Sequence, residues 1–468
     1  MSTKNTVEEV TPGASRRDLL KNGVTVSLAS GLAMMVAQDL AAQTQQAPAV
    51  LTGTMAGRKY RAFVRNGTSG AVEELRMMPL NEDRVVVRTQ ASQCSYTSCQ
   101  NVLGNRPMQL AQIPGYGGVG IVEAVGSRVR RVQVGDRVIV ADSPNCGQCY
   151  ACVNGRPDRC LWSGAGGVAF DPVAQLSNGT PVAGAINAGG FGELMIAPEW
   201  FCVPVFDDSV PSLELAMLHE TGSVGLGCVF SSAPVEPGSD VAVFGCGPIG
   251  LAAIQGARLK GAVQIIAIDP VAERRELAKK LGATVALDPH DYFDPGKPNY
   301  DFRSNLEKDR LVIKLRELCS GPTERRMAGG RPNDVNRNHA GPDFVIEAVG
   351  GDLYPPKTPG PDPTGLLPLY QAWAACTSTG HVCTTSIAHK TDFVLPADFW
   401  SNGSKNHHPG THNGAYSMRD LPRAVKLIKS GKFNAKAVAT ATFPLDRIKE
   451  AYQQVADRTT ITSTITFA

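Results

Sequence analysis

Asp240-Val241-Ala242-Val243-Phe244-Gly245-Cys246-Gly247-Pro248-Ile249-Gly250 reads as an apolar strand that runs into a glycine-rich turn and opens a helix. Gly-x-Gly-x-x-Gly is a weak pattern alone and a specific one in this strand–turn–helix setting. Gly245 permits the tight turn. Gly247 lets the backbone approach a pyrophosphate seated on the helix N-terminus, beside Pro248 and Ile249, and Gly250 lets helix and strand pack closely. Asp269 stands 19 residues beyond Gly250, at the end of a second apolar run, 264–269. An acid there can accept from both ribose hydroxyls and repels a 2′-phosphate, so the expected cofactor is NAD rather than NADP. Arg274, close by, is a cation that would tolerate the extra phosphate. The plain alternative is a strand–helix turn that holds no ligand.

Working outward, 251–260 has helical spacing, 273–281 reads as a helix closed by Gly282, and 284–288 and 343–350 read as further strands. A last helix and strand are expected within 373–387. Strands that alternate with helices predict a parallel sheet. The segments 289–342 and 351–365 are long for crossovers and read as surface insertions, with a helix at 314–319. Upstream, 84–89, 120–125 and 137–140 alternate in the manner of strands, with turns such as Val134-Gly135-Asp136 between them. Residues 59–140 therefore predict a partly closed antiparallel barrel. Residues 163–190 show little periodicity and read as a loop, and 212–230 reads as helical. In the tail, 421–430 is a helix and the β-prone 462–467 is expected to return to the barrel.

Cys146, Cys149, Cys152 and Cys160 form C-x2-C-x2-C-x7-C inside a glycine-rich loop. Four thiolates so close in sequence can close a tetrahedral site around one structural zinc per chain. A pair of disulfides, or free thiols, is the alternative. The other eight of the 12 cysteines are scattered, which does not suggest a disulfide scaffold.

The chain of 468 residues is long enough for two to three domains. Its 43% apolar and 19% charged residues are those of a globular protein, and a net charge of +3 with no basic run gives no reason to expect nucleic acid. Ser15-Arg16-Arg17-Asp18-Leu19-Leu20-Lys21 is a twin-arginine pattern ahead of a mild apolar run, 23–37, too short for a stable membrane span. The expectation is a signal peptide over 1–42, a linker over 43–57, recognition by the twin-arginine export machinery, and a periplasmic or secreted destination. An N-terminal helix with an incidental arginine pair is the bland reading.

From about Arg58 onward the sequence resembles the zinc-type medium-chain alcohol dehydrogenases. The resemblance rests on Cys94, Pro114-Gly115-x-x-Gly118-Val119-Gly120, Gly135-Asp136-Arg137-Val138, the cysteine quartet, the glycine-rich turn and Phe443-Pro444-Leu445. Leu176-Ser177-Asn178-Gly179-Thr180 and Gly190-Phe191-Gly192-Glu193 resemble the long loop of the animal and glutathione-linked branch. The implied fold is α/β: a GroES-like barrel domain, 58–210 and 400–468, split by an inserted doubly wound Rossmann domain, 211–399. A homodimer or homotetramer acting on a small alcohol or carbonyl substrate is expected.

The resemblance also implies a catalytic zinc held by a Cys, the His of a Gly-His-Glu motif and a later Cys or acid, with a proton-relaying Ser or Thr two residues after the first Cys. Cys94 keeps the first position. The motif reads Gly115-Tyr116-Gly117, the relay position is Tyr96, and the later acid is Glu220, in His219-Glu220-Thr221-Gly222. An ordinary catalytic zinc needs three protein ligands and an open position. With the His and Glu gone, such a zinc is doubtful, although Cys99 or His219 could join Cys94 and Glu220 if the local geometry shifts. Tyr116 and Tyr96 become candidates to polarise the substrate oxygen or relay its proton, against a plain packing role for each. Cys94 is either a site residue or an idle buried thiol. His407, His408 and His412 read as a polar surface loop or, more sharply, as a loop at the cofactor cleft.

Free NAD is scarce outside the cytoplasm, so an exported NAD enzyme is expected to hold its cofactor tightly, loaded with zinc before export. Three classes follow: an alcohol or aldehyde oxidoreductase with tightly bound NAD, which is preferred; a lyase, epimerase or isomerase that oxidises transiently with no net redox; and a non-catalytic binding protein.

Overall fold

The structure is a computed structural model that describes residues 55–104, 107–163, 171–293, 309–319, 341–350, 366–385, 405–409, 412 and 414–468. The segment expected as a signal peptide, most of the expected linker, most of 289–342 and all of 351–365 lie outside the described residues.

Asp240–Phe244 is the central strand of a six-stranded parallel sheet in the order Val285–Leu287, Gln264–Ile268, Asp240–Phe244, Phe344–Glu347, His381–Thr384, Asn406–Pro409. Its apolar runs are continuous because both faces are covered. Val241, Val243, Ile265, Ala267 and Ile346 bury on one face with Leu251 and Ile254 of the helix Pro248–Leu259. Ala242, Phe244, Ile266, Ile268 and Val345 bury on the other with Leu311, Leu315 and Trp373. Gly250 makes the first of these packings possible, since a Cβ there would lie 1.8 Å from the Gly245 carbonyl oxygen. The strand Asn406–Pro409 was expected as part of a loop, and the sheet therefore extends past residue 399. Its pairing with His381–Thr384 crosses 21 residues of sequence without a legible helix, which hid it.

The β-rich part forms two units. Lys59–Gly67, Ser69–Met77, Pro172–Gln175, Pro181–Gly184 and Met108–Ile113 close a barrel. A second sheet runs Cys202–Pro204, Arg137–Val140, Gly118–Val125, Arg84–Gln93, Thr462–Thr466, Ala439–Pro444, with Leu194–Pro198 also on Arg84–Gln93. The tail strand returns to Arg84–Gln93 as expected. Two expectations are corrected. The barrel is not purely antiparallel, because Met108–Ile113 and Pro181–Gly184 run parallel. Residues 163–190 are not all loop, because they supply two barrel strands, each only four residues long and too short to show a period of two.

The helical stretch 212–230 is likewise broken, into Ser212–Ala216, Thr221–Gly227 and a wider turn over Cys228–Ser232. Glu220 stands in the break, with φ −142° and ψ −83°. The break lets the carboxyl leave the helix surface and enter the space between the barrel unit and the parallel sheet.

Candidate active site

One cavity of about 490 Å3 lies where these two parts meet. Gly245, Gly247, Pro248, Ile249, Asp269 and Arg274 line it from the parallel sheet, and Cys94, Tyr96, Tyr116 and Glu220 line it from the barrel side. The structure thus brings every residue expected at the cofactor and catalytic positions to one cavity except Gly250, which acts from beneath through packing.

The nucleotide half has the features of a phosphate turn. Gly245 takes φ +89°, and a Cβ on Gly247 would meet nothing within 4 Å, so the approach to the helix N-terminus is open. The Asp269 carboxylate is fixed by two amides: Cys246 N–H donates to Oδ2 at 2.7 Å and Val271 N–H to Oδ1 at 2.8 Å. Each oxygen keeps acceptor capacity for a ribose hydroxyl. A dinucleotide therefore fits these residues. Arg274 has a further duty, since Nη2 donates to the Thr460 carbonyl at 3.1 Å and ties the sheet side to the tail. Its Nε is buried without a partner, and burial lowers its pKa.

The other half is a hydroxyl-rich wall. Cys94 directly follows the strand Arg84–Gln93, its N–H donating to the Ser463 carbonyl at 2.8 Å. The chain then turns through Tyr96–Ser98, which presents Ser95 and Thr97 as well as Tyr96 to the cavity. Ser95 Oγ donates to Glu220 Oε1 at 2.7 Å and lies 2.9 Å from Thr97 Oγ1, where either hydroxyl can donate. Thr97 Oγ1 lies 3.3 Å from Tyr116 Oη, where again either hydroxyl can donate. Burial pushes the Glu220 carboxyl up to about 8, with Asp142 adding repulsion and the Ser95 bond opposing. Burial also raises the Tyr116 phenol and lifts the Cys94 thiol well above its usual range. His219 is wholly buried, neither ring nitrogen has a hydrogen bond, and desolvation lowers it to about 4, so it is neutral near pH 7.

Asp142 and His412 also line the cavity. Asp142 follows the strand Arg137–Val140, its N–H donating to the His219 carbonyl at 3.0 Å. His412 Nδ1 lies 3.4 Å from Asp142 Oδ2. The sharper reading of the histidine-rich segment therefore holds for His412, while His407 and His408 sit on the sheet's edge strand, His408 Nε2 2.8 Å from His381 Nδ1. Sequence reading missed Ser95, Thr97 and Asp142. The run Ser95-Tyr96-Thr97-Ser98 was the available signal for the first two. Asp142 gave none.

The donor set fits a catalytic zinc poorly. Tyr116 occupies the histidine position, and a half-buried phenol whose pKa is raised is a weak ligand. A side chain at 117 would place Cβ 2.0 Å from the Val140 carbonyl oxygen, with φ at +146°, so this backbone has no room for the missing Glu. Glu220 Oε1 is engaged by Ser95. Among the described residues, the cysteine quartet is the one group of three or more His, Cys, Asp or Glu with ligand atoms close enough to share an ion.

That quartet fits a structural zinc. Its four ligand atoms lie within 4.8 Å of one another, and all four cysteines are free of disulfides. A tetrahedral site with Zn–S near 2.3 Å needs sulfurs about 3.8 Å apart, a short closure from here. The amides of Cys149 and Leu161 donate to the sulfurs of Cys146 and Cys149, each at 3.4 Å, as suits thiolates.

Comparison with known proteins agrees with this architecture. Residues 81–207 match the alcohol dehydrogenase GroES-like domain and 248–356 the zinc-binding dehydrogenase domain. Geraniol dehydrogenase of Castellaniella defragrans is 29% identical over 394 residues, covering 81% of this chain and 90% of its own. Alcohol dehydrogenase 6 of Peromyscus maniculatus is 26% identical over 402 residues, covering 84% and 94%. The crystal structure of benzyl alcohol dehydrogenase from Acinetobacter calcoaceticus superposes with a TM-score of 0.70 at 23% identity, covering 88% of this chain and 100% of its own.

Proposed function

This chain belongs to the zinc-type medium-chain alcohol dehydrogenase family, and on that premise we propose that it interconverts a small alcohol and its aldehyde or ketone with tightly held NAD, using one structural zinc and no catalytic zinc. That it is an alcohol dehydrogenase-like oxidoreductase follows from its relatives. The observation that carries the finer reading is the single cavity that places the phosphate turn and Asp269 opposite Cys94, Tyr116 and Glu220.

NAD, when bound, supplies the hydride acceptor or donor. The chain's own residues do the rest. Gly245, Gly247 and the start of Pro248–Leu259 hold the pyrophosphate, and Asp269, already oriented by two amides, takes the ribose hydroxyls. Tyr116 is the hydroxyl group best suited to contact the reacting oxygen, because it lines the cavity at one end of a hydrogen-bonded series. Burial keeps the Cys94 thiol protonated, which suits it to packing in the cavity wall. Cys146, Cys149, Cys152 and Cys160 hold the structural zinc and do not line the cavity.

The twin-arginine segment supports export to the periplasm or beyond, and the folded route it addresses lets zinc and NAD load first. Retention of NAD is supported by the bond from Arg274, on the cavity wall, to the Thr460 carbonyl of the tail. The test is direct. Purified enzyme should carry nucleotide released by acid, and benzyl alcohol or geraniol, as probes, should reduce that bound NAD, seen as NADH absorbance on the protein. An enzyme that binds no nucleotide and reduces none with any alcohol would overturn the reading.

A further inference from the structure

Ser95, Thr97 and Tyr116 each own a single hydroxyl proton, and that count constrains the chain they form with Glu220. Three contacts join four groups: 2.7 Å from Glu220 Oε1 to Ser95, 2.9 Å from Ser95 to Thr97, and 3.3 Å from Thr97 to Tyr116. If Ser95 gives its proton to Glu220 and Thr97 gives its own to Tyr116, the central contact has none. All three links are hydrogen bonds only when every group points the same way. With Glu220 ionised, Tyr116 donates to Thr97, Thr97 to Ser95 and Ser95 to Glu220. With Glu220 protonated, Glu220 donates to Ser95, Ser95 to Thr97 and Thr97 to Tyr116, which leaves the Tyr116 proton pointing at the cavity.

We propose that this series is a proton relay, in which Tyr116 exchanges the proton of the substrate hydroxyl and Thr97 and Ser95 carry it to and from Glu220. The inference rests on the oxidoreductase reading above. In alcohol oxidation the substrate O–H bond breaks and its proton goes to Tyr116 Oη. The Tyr116 proton passes to Thr97, the Thr97 proton to Ser95 and the Ser95 proton to Glu220, so one O–H is lost at the substrate and one is gained at Glu220. The C–H electron pair leaves as hydride to oxidised NAD, which the proposed activity supplies. Carbonyl reduction runs the same steps backward. Tyr116 is the catalytic group; Thr97, Ser95 and Glu220 act through it. The path passes on either side of Tyr96, through its two neighbours.

A terminus that changes protonation near working pH suits this role, and Glu220 at about 8 does so. The groups around it are Asp142, which repels its charge, Tyr116 and Cys94 on the cavity wall, neutral His219 at its own N-terminal side, and His412 beyond Asp142. Glu220 Oε2 is buried with no partner, which leaves Ser95 as its hydrogen-bonded outlet.

The experiment compares Thr97→Val, which removes the central hydroxyl at nearly constant volume, with Thr97→Ser, which keeps it, and with Glu220→Gln. Rates are measured with excess NAD and benzyl alcohol across pH. Thr97→Val should slow the hydride-forming step on the order of 100-fold while Thr97→Ser stays within several-fold of the parent. Nucleotide affinity should not change. The parent's oxidation rate should rise through pH 8, and Glu220→Gln should abolish that rise. Independently of turnover, the cofactor-free enzyme should show a carboxylic-acid infrared band that vanishes in Glu220→Gln. Thr97→Val should shift that band and Thr97→Ser should leave it in place. A Thr97→Val enzyme with parental rate and pH profile would overturn the relay. If the parent itself oxidises no alcohol, the oxidoreductase reading fails, and the infrared band decides the relay alone: a band unmoved by Thr97→Val overturns it.

Discussion

His219 and Glu220 are adjacent, and burial holds both away from their charged forms, one as a neutral base and one as a neutral acid. The consequence for stability differs in sign from a surface pair. His219 titrates near 6.5 unfolded and about 4 folded, so its neutral form is fully compatible with the fold above pH 6.5, and the unfolded chain gains protons first as pH falls. Between those values it should withdraw roughly 3 kcal/mol of stability. Thermal unfolding of the parent should fall across pH 6.5 to 4, and His219→Phe should flatten part of that fall; an unchanged slope would place the effect elsewhere. Gly250→Ala belongs to the same scale. A Cβ 1.8 Å from the Gly245 carbonyl forces helix and strand apart, so nucleotide binding measured by calorimetry should be lost in the variant.

Among the elements, those with long, uniform patterns were legible. Asp240–Phe244 and Gln264–Ile268 form as read, because each is apolar at all four of its buried positions, as a strand covered on both faces is. The pieces that complete the catalytic wall were not. The break at Glu220 follows from its place between two short helices, and nothing in 212–230 marks it, since all of Thr221–Gly227 is buried and apolar periodicity disappears. Pro172–Gln175 and Pro181–Gly184 are strands by virtue of barrel closure rather than pattern. The quartet loop is the opposite case, legible from spacing alone. Its zinc should brace that loop and leave the cleft alone. Cys152→Ser should therefore lose the metal and lower the unfolding temperature while nucleotide affinity stays within about threefold, because a site that does not line the cavity contributes no cofactor contact. Equal loss of both would merge the two sites.

For the whole molecule, the cavity owes its existence to two units meeting across it, and the Arg274–Thr460 bond is a tie between them that sequence could not suggest, since its partners lie 186 residues apart. Arg274 was legible as a residue near the ribose. Its part in holding the cleft was not. Arg274→Ala removes one hydrogen bond between the sheet side and the tail, worth about 1.4 kcal/mol, so NAD should dissociate about tenfold more readily in stopped-flow displacement. An unchanged off-rate would exclude the tie from cofactor retention. The candidate site as a set was legible through Cys94, Tyr116, Glu220 and the glycine turn, because each stands in a recognisable local pattern. Ser95, Thr97 and Asp142 became visible as partners only once the fold had placed them on one wall.

The claim on which the rest depends is that this family member keeps its structural metal and works without a catalytic one. Native mass spectrometry with metal analysis on the active, nucleotide-bound enzyme counts the ions per chain. One zinc, lost in Cys152→Ser and retained in Glu220→Gln, is the result this account predicts. Two zincs per chain, one of them lost in Glu220→Gln or Cys94→Ala together with activity, would contradict it.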